Sequence, residues 1–462
     1  MNSRRTTISR HRLSGFFGLG SHVLAIGLSI GACSSPESAP DRSSDAKVLV
    51  LGIDGASWKV IGPLIKDGDL PVLASLIQGG ATCTALDVVS PDSPIAWTSA
   101  ATSRAPNDHG VVDYVHRLQN GSVIPASGSL RRVPAIWEVT SRYGVSVGVA
   151  GWWATWPADT VDGWIVSDHA NPALSEFLIQ DGNYWTADAR ALNALNRDVF
   201  PPSIAPIVAS SAVTRANFNY DEYQTRAHLS PDQQSLLKAD RWNARSAYSI
   251  LKTFFAMDRS TVNATTALMR FSPTQLTMVY LRGPDPIQHY AWDLVEPHRY
   301  MVPPPNFDRD KGIVESVYRY IDTFVGELLS EFGTNGWIVV ASDHGAEPDP
   351  RATGIPRRSR PGGHSKAATG ILVLHGPGVR SGQQIQGVSP YDIMPTALWL
   401  LDVPISRELE GRVIDEAFEP SFIDQNEREY VRTYGKRETE IPSVSVADEA
   451  MLESLRSLGY IE

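Results

Sequence analysis

Cysteine is nearly missing from this chain: Cys33 and Cys83 are the only two in 462 residues. One intramolecular disulfide would consume both, and Cys33 has another explanation given below, which leaves Cys83 as a lone, buried thiol. An excess of basic charge is also lacking. Lys and Arg number 41 against 51 Asp and Glu, a net charge of −10. That argues against bulk binding of nucleic acid, which depends on neutralising phosphates with Lys and Arg. It does not bear on a small anionic substrate whose charge is met locally. A long unbroken apolar run is missing too, because Gly15, Gly18, Gly20, Ser21 and His22 dilute the stretch from Leu13 to Ala32, so a transmembrane helix is not expected there. No internal repeat is visible. What remains is enough chain for one large domain or two ordinary ones. Tryptophan is plentiful, and Trp152, Trp153, Trp156 and Trp164 lie close together, as core or pocket wall.

The first residues have the layout of a targeting segment. Arg4, Arg5, Arg10 and Arg12 occur without an acid before the mildly apolar stretch that ends at Cys33. Residues 1–32 are therefore read as a signal peptide. The run Ile30-Gly31-Ala32-Cys33 resembles a bacterial lipobox, in which the cysteine is lipidated and becomes the new N-terminus. Ser3-Arg4-Arg5 resembles a twin-arginine signal, and Ser34 fits sorting to an outer membrane. Residues 33–46, polar and Ser/Pro-rich, are expected to be a flexible tether. The expectation is an exported chain held at the cell envelope, on its periplasmic face, by lipid on Cys33.

From Lys47 the pattern changes. Val48 to Ile53 is a continuous apolar run ending in Asp54-Gly55, the pattern of a buried parallel strand with a polar residue at its carboxyl end. Further strand-like runs cover 145–150, 275–281, 337–342 and 370–374. Helical patterns cover 57–67, 71–78, 133–143, 236–257, 260–270, 311–332 and 391–401. Strands alternating with helices predict an α/β domain over 47–417 with a central, mostly parallel sheet, whose sites gather at the carboxyl ends of strands. Residues 170–235 break the rhythm and read as an insertion or cap. Residues 296–309 and 346–363 read as loops, and 418–462 as a C-terminal extension with a short amphipathic end, Met451 to Ile461.

Five short motifs stand at or just beyond strand ends: Gly52-Ile53-Asp54-Gly55, Ser93-Pro94-Ile95-Ala96-Trp97, Gly283-Pro284-Asp285-Pro286-Ile287-Gln288-His289, Ser342-Asp343-His344-Gly345 and Gly362-Gly363-His364-Ser365. Together they supply three Asp and three His, a donor set that suits zinc or manganese and is large enough for two ions. Each also has a plain structural reading: Asp54 as a helix cap, Asp285 and His289 as a solvent-facing pair one turn apart, Asp343-His344 as loop residues, His364 as a surface histidine.

In this order the motifs resemble the alkaline phosphatase superfamily, and within it the type I phosphodiesterase/nucleotide pyrophosphatase-like branch. The resemblance extends from about Lys47 to about Asp415, including Ser389-Pro390-Tyr391-Asp392 and Glu410-Gly411-Arg412. It implies an alkaline-phosphatase-like fold and two divalent metal ions, Zn2+ or alternatively Mn2+. One ion would be held by Asp285, His289 and His364, the other by Asp54, Asp343, His344 and the oxygen of the nucleophile. It also implies hydrolysis of a small phosphate ester, of phosphodiester or nucleotide pyrophosphate type, through a covalent phosphoserine. The family places its nucleophile a fixed interval before a Thr-Gly pair. Here the pair is Thr102-Ser103, a departure, and the same interval leads back to Ser93. With Pro94 suited to the first helical position, Ser93 is expected to be the N-cap, where positive potential favours an alkoxide. Thr98 is the alternative nucleophile.

Other readings stay open on the same fold: a phosphomonoesterase, an envelope phospho-group transferase, or a lipoprotein that keeps the fold only as a binding module. A sulfatase needs Pro and Arg at set places after its nucleophile, and Ser93 to Trp97 lacks them. Diesterases need an apolar wall for the second ester group, for which Trp97, Trp152, Trp153 and Tyr290 are candidates. Ser167-Asp168-His169 repeats the Ser-Asp-His string without the following Gly and reads as a decoy. The Arg-rich stretch 351–360 and Lys366 are weaker candidates for substrate contact.

Overall fold

The computed structural model describes residues 46–171, 197–214, 217–240, 246–353, 360–438, 441–445 and 447–461. The signal-peptide and lipid-anchor expectations, with Cys33, lie outside them. No helix among the described residues is long and apolar enough to cross a membrane.

A nine-stranded sheet organises the chain. In chain order its strands are β1 (Val48–Ile53), β2 (Ala81–Leu86), β3 (Val147–Ala150), β4 (Gly163–Val166), β5 (Val199–Phe200), β6 (Leu276–Leu281), β7 (Trp337–Ala341), β8 (Gly370–His375) and β9 (Gln383–Gln384). Their spatial order is β9-β2-β8-β7-β1-β6-β3-β4-β5. Only β8 and β5 run against the rest. β1 is central, parallel to β6 on one side and β7 on the other. All six of its residues are buried, which explains why it is apolar throughout rather than alternating. β2, β4, β5 and β9 were not anticipated; in β2, Thr82, Cys83 and Thr84 interrupt the apolar character. β2 is recruited by pairing with β8.

The helices follow the expected periodicity, with one correction. Residues 236–257 and 260–270 were read as two helices, but Ala247–Phe271 is a single one, and Leu236 belongs to a separate helix, Pro231–Ala239, begun by Ser230 as its cap. The apparent break at Asp258 is no break, because the buried carboxylate faces the next strand exit and accepts the Arg282 N–H at 2.8 Å. Ile313–Phe332 buries Ile313, Val317, Ile321, Phe324 and Leu328 along one face, the spacing of an amphipathic helix. Its Asp322 accepts from Val72 N at 3.1 Å and Leu73 N at 2.8 Å. Those are orphan donors at the start of the helix Pro71–Gly79, which has Leu70 where a capping side chain would stand.

Of the segment read as an insertion or cap, residues 172–196 lie outside the description. The remainder forms edge strand β5, and outer helices pack on Ala247–Phe271 and Ile313–Phe332. The C-terminal stretch is tied in closely. Buried Arg437 meets Asp159 at 2.5 Å and Glu138 at 3.0 Å and donates to Gly128 O at 2.9 Å. Beyond it, the helix Asp448–Leu458 lies against the carboxyl edge of the sheet.

Candidate active site

Because β1 pairs in register with β6 and β7, Asp54, the helix Pro284–Val295 that carries Asp285 and His289, and Asp343-His344 all leave the sheet at one edge. His364 reaches the same edge by a different route: β8 is antiparallel, so the segment leading into it arrives where the parallel strands end. Gly362 makes this approach feasible, since a side chain there would lie 2.1 Å from Gln288 O. Gly362 O in turn is 3.1 Å from His289 Nδ1.

All six expected ligands converge, in the two sets that the family resemblance implies. Asp285, His289 and His364 form one cluster, and Asp54, Asp343 and His344 the other. In the first, Asp285 Oδ1 is 3.4 Å from His289 Nε2 and 3.6 Å from His364 Nε2. In the second, His344 Nε2 is 3.5 Å from both Asp54 Oδ1 and Asp343 Oδ2. His344 and His364 join the clusters by stacking at 3.8 Å. His344 Nδ1 is 2.9 Å from Gly345 O, which orients the ring with Nε2 inward.

Two observations show that this donor set fits divalent cations. Nε2 of His289, His344 and His364 and Oδ2 of Asp343 are buried without a hydrogen-bond partner, a costly state for polar atoms unless something else binds them. The carboxylates are also buried and crowded against one another. Burial, and then the nearby Asp343 and Asp285, push Asp54 far above the usual carboxylate range, and burial raises Asp343 too. Burial would also raise Asp285, but the adjoining His289 and His364 outweigh it and hold it far below that range. Burial, reinforced by His344, pushes His364 down to about 2, so its ring is neutral and able to ligate.

Ser93 lies beside the second cluster, its Oγ 3.2 Å from Asp54 Oδ1. It is not the N-cap. The helix is Ser93–Thr102, and Asp92 is the cap, because Ile95 N and Ala96 N both bond to Asp92 O at 3.0 Å. Pro94 is thus the second helical residue. Ser93 keeps the positive end of the helix, from its first turn. Thr98 is buried, and its hydroxyl bonds to Pro94 O at 2.7 Å within the helix.

Among the proposed wall residues, Trp97 and Trp152 are core, joined by a Trp152 Nε1 to Trp97 O bond of 3.0 Å. Trp153 does line the cavity beside Ser93, whereas Tyr290 donates to Ser457 O of the C-terminal helix. Lys366 is exposed. Arg351 pairs with Asp349 at 2.8 Å, and 354–359 fall outside the described residues. The decoy is structural: Asp168 accepts from Ala154 N at 2.9 Å and Trp156 N at 3.1 Å, and His169 stacks on Trp156 at 4.8 Å.

Several site residues had been missed. Tyr280 donates to Asp54. Arg282, buried with Nη1 unpartnered, lines the cavity and lies over the Tyr280 ring at 5.1 Å. A cation directly after an apolar strand and just ahead of Asp285 was a readable signal for Arg282. Tyr114, Phe254 and Met257, and the C-terminal Met451, Leu455, Leu458 and Tyr460, complete the lining. Nothing local in the sequence marks those last four.

Two Asp/His clusters flanking a hydroxyl at a helix start, on the carboxyl edge of a mostly parallel sheet, define an alkaline-phosphatase-like hydrolase. The type I phosphodiesterase/nucleotide pyrophosphatase family model matches residues 48–356, and the chain belongs to that family of phosphoric ester hydrolases. His364 and the C-terminal helix lie beyond the matched span. No curated protein matches the chain. Among solved structures it is similar to murine ectonucleotide pyrophosphatase/phosphodiesterase 5, with 12% identity, TM-score 0.45, and coverage of 81% of this chain and 100% of that one. It is also similar to a phosphonate monoester hydrolase from Silicibacter pomeroyi (16%, TM-score 0.45, 81% and 78%). A third similar structure is a putative sulfatase from Bacteroides thetaiotaomicron (11%, TM-score 0.47, 80% and 74%).

Proposed function

We propose that the protein hydrolyses small phosphodiesters or nucleotide pyrophosphates in two steps, with Ser93 as nucleophile and two divalent ions, zinc in the first instance. The observation that carries this reading is the set of buried, partnerless imidazole nitrogens in two clusters beside Ser93 Oγ. Asp285, His289 and His364 would hold one ion; Asp54, Asp343 and His344 the other. When bound, such ions neutralise phosphate charge and lower the pKa of attacking and leaving oxygens. The chain's own contribution is position. The bond from Ser93 Oγ to phosphorus forms as the bond to the leaving alcohol or phosphate breaks. Water then attacks the phosphoserine, and Ser93 is released. Tyr280 fixes Asp54, the Gly362 carbonyl fixes His289, and Arg282 places positive charge on the cavity wall.

Elemental analysis of the domain from Ser34 onward, paired with hydrolysis of bis(4-nitrophenyl) phosphate and 4-nitrophenyl phosphate, tests this. About two ions per chain, chelator-sensitive turnover and faster cleavage of the diester are expected. Folded protein that binds neither zinc nor manganese would overturn the metal reading, and preference for the monoester would replace the diesterase with a phosphomonoesterase. We also infer that Cys33 carries lipid at the envelope. Cys33→Ser should move the protein from the membrane to the soluble fraction, and an unchanged distribution would refute the anchor.

A further inference from the structure

We propose that the C-terminal segment is a gate over the active site and that Tyr460 determines which ester groups enter; this rests on the phosphoesterase reading above. The helix Asp448–Leu458 turns Met451, Leu455 and Leu458 into the cavity beside Ser93. Gly459 ends it with φ of 70° and bonds back to Arg456 O at 2.8 Å. This left-handed turn suits glycine and swings the next residue toward the metal clusters. Tyr460 enters there. Its hydroxyl donates to Asp285 Oδ2, and its ring stacks on Tyr114 at 4.8 Å and 12°. The His289 ring stands nearly perpendicular to it, centroids 5.2 Å apart, and the Arg360 guanidinium covers the ring at 5.9 Å.

Two consequences follow from this placement. The Tyr460 hydroxyl holds Oδ2 of Asp285 while Oδ1 faces His289 and His364, so it competes with a cation for the second oxygen of that carboxylate. The ring fills the space next to the nucleophile, leaving a cavity of about 40 Å3, whereas pockets for organic ligands measure about 300 Å3 or more. With Tyr460 in place the site admits a phosphoryl group and a small substituent. With the segment withdrawn, the slot beside Tyr114 is free for a bulky one.

The test uses the full chain as Tyr460→Phe and Tyr460→Ala. In zinc-loaded protein, Tyr460→Ala should raise kcat/KM for bis(4-nitrophenyl) phosphate about tenfold. For methyl 4-nitrophenyl phosphate the change should stay under about threefold. In metal-stripped protein, Tyr460→Phe keeps the ring but frees Asp285, so calorimetric zinc affinity should rise about tenfold. An unchanged ratio between the two esters in folded Tyr460→Ala overturns the specificity role, and unchanged zinc affinity in Tyr460→Phe overturns the competition. Should no chain cleave either ester while zinc still binds more tightly to Tyr460→Phe, the competition for Asp285 stands and the phosphoesterase reading falls with the ester selection.

Discussion

The cavity beside Ser93 has a floor and a roof made by different physics. The floor is built at the carboxyl edge of the sheet: Asp54, Asp343 and His344 just beyond β1 and β7, Asp285 and His289 on the helix that follows β6, and His364 on the approach to β8, all fixed by a sheet whose central strand is bonded on both sides. Its groups are charged or polar, buried, and in several cases without partners. The roof is a helix from the last residues of the chain, presenting Met451, Leu455 and Leu458, and it is held by dispersed apolar contact and a few hydroxyl bonds. A rigid floor preorganises charge, and a roof of this kind can exchange its contacts for those of a ligand. On the reading proposed above, chemistry belongs to the floor and selection to the roof.

Substitutions should separate the two. Ser93→Ala should cost on the order of a thousandfold or more in kcat with metal content unchanged; activity surviving that change would shift the nucleophile to Thr98 or to water. Asp343→Asn should lose bound metal and more than about a hundredfold in activity. Asp168→Asn, in the look-alike string, should retain metal and turnover while losing about 2 kcal/mol of stability, read by denaturant titration. If Asp168→Asn instead abolished metal binding, the decoy assignment would be wrong.

On the roof, Leu455→Ala should loosen the helix and raise kcat/KM for the bulky diester about threefold, the same direction as Tyr460→Ala. A fall would make the helix a substrate-binding wall rather than a gate. The smallest effect concerns the support beneath the floor. Burial raises Asp258 to about 7, whereas an unfolded aspartate ionises at about 3.9. The folded state therefore holds an extra proton between those values, and the stability this brings is full below about pH 4 and lost as pH rises to about 7. Asp258→Asn should show a shallower decline over that window; equal slopes would mean that Asp258 is already ionised when folded.

The floor was legible in the sequence because each ligand stands beside an apolar strand or a glycine that marks a strand exit. Val48 to Ile53 illustrates a buried parallel strand that is readable from its apolar run, and the structure brings the six residues together in the two groups that the resemblance implied. Local rules failed where a longer-range bond decided the outcome. Ser93 resembled a cap until the Asp92 carbonyl was seen to start the helix, and Asp258 resembled a break until Arg282 bonded to it. The roof was illegible for a stronger reason. Tyr460 is 175 residues from Asp285, and an amphipathic helical end records which face is buried but not what it is buried against. Trp97 and Trp152 erred the other way, being large enough for a wall yet fully enclosed beneath it.

The central position of β1 has a mechanical consequence. Tension applied at Lys47 loads Val48 to Ile53 in shear, against hydrogen bonds to β6 and β7 that must break together. Tension applied at Ile461 meets the Tyr460 hydroxyl first and then peels one helix turn by turn. The same molecule is therefore stiffer when pulled from its front than when pulled from its back.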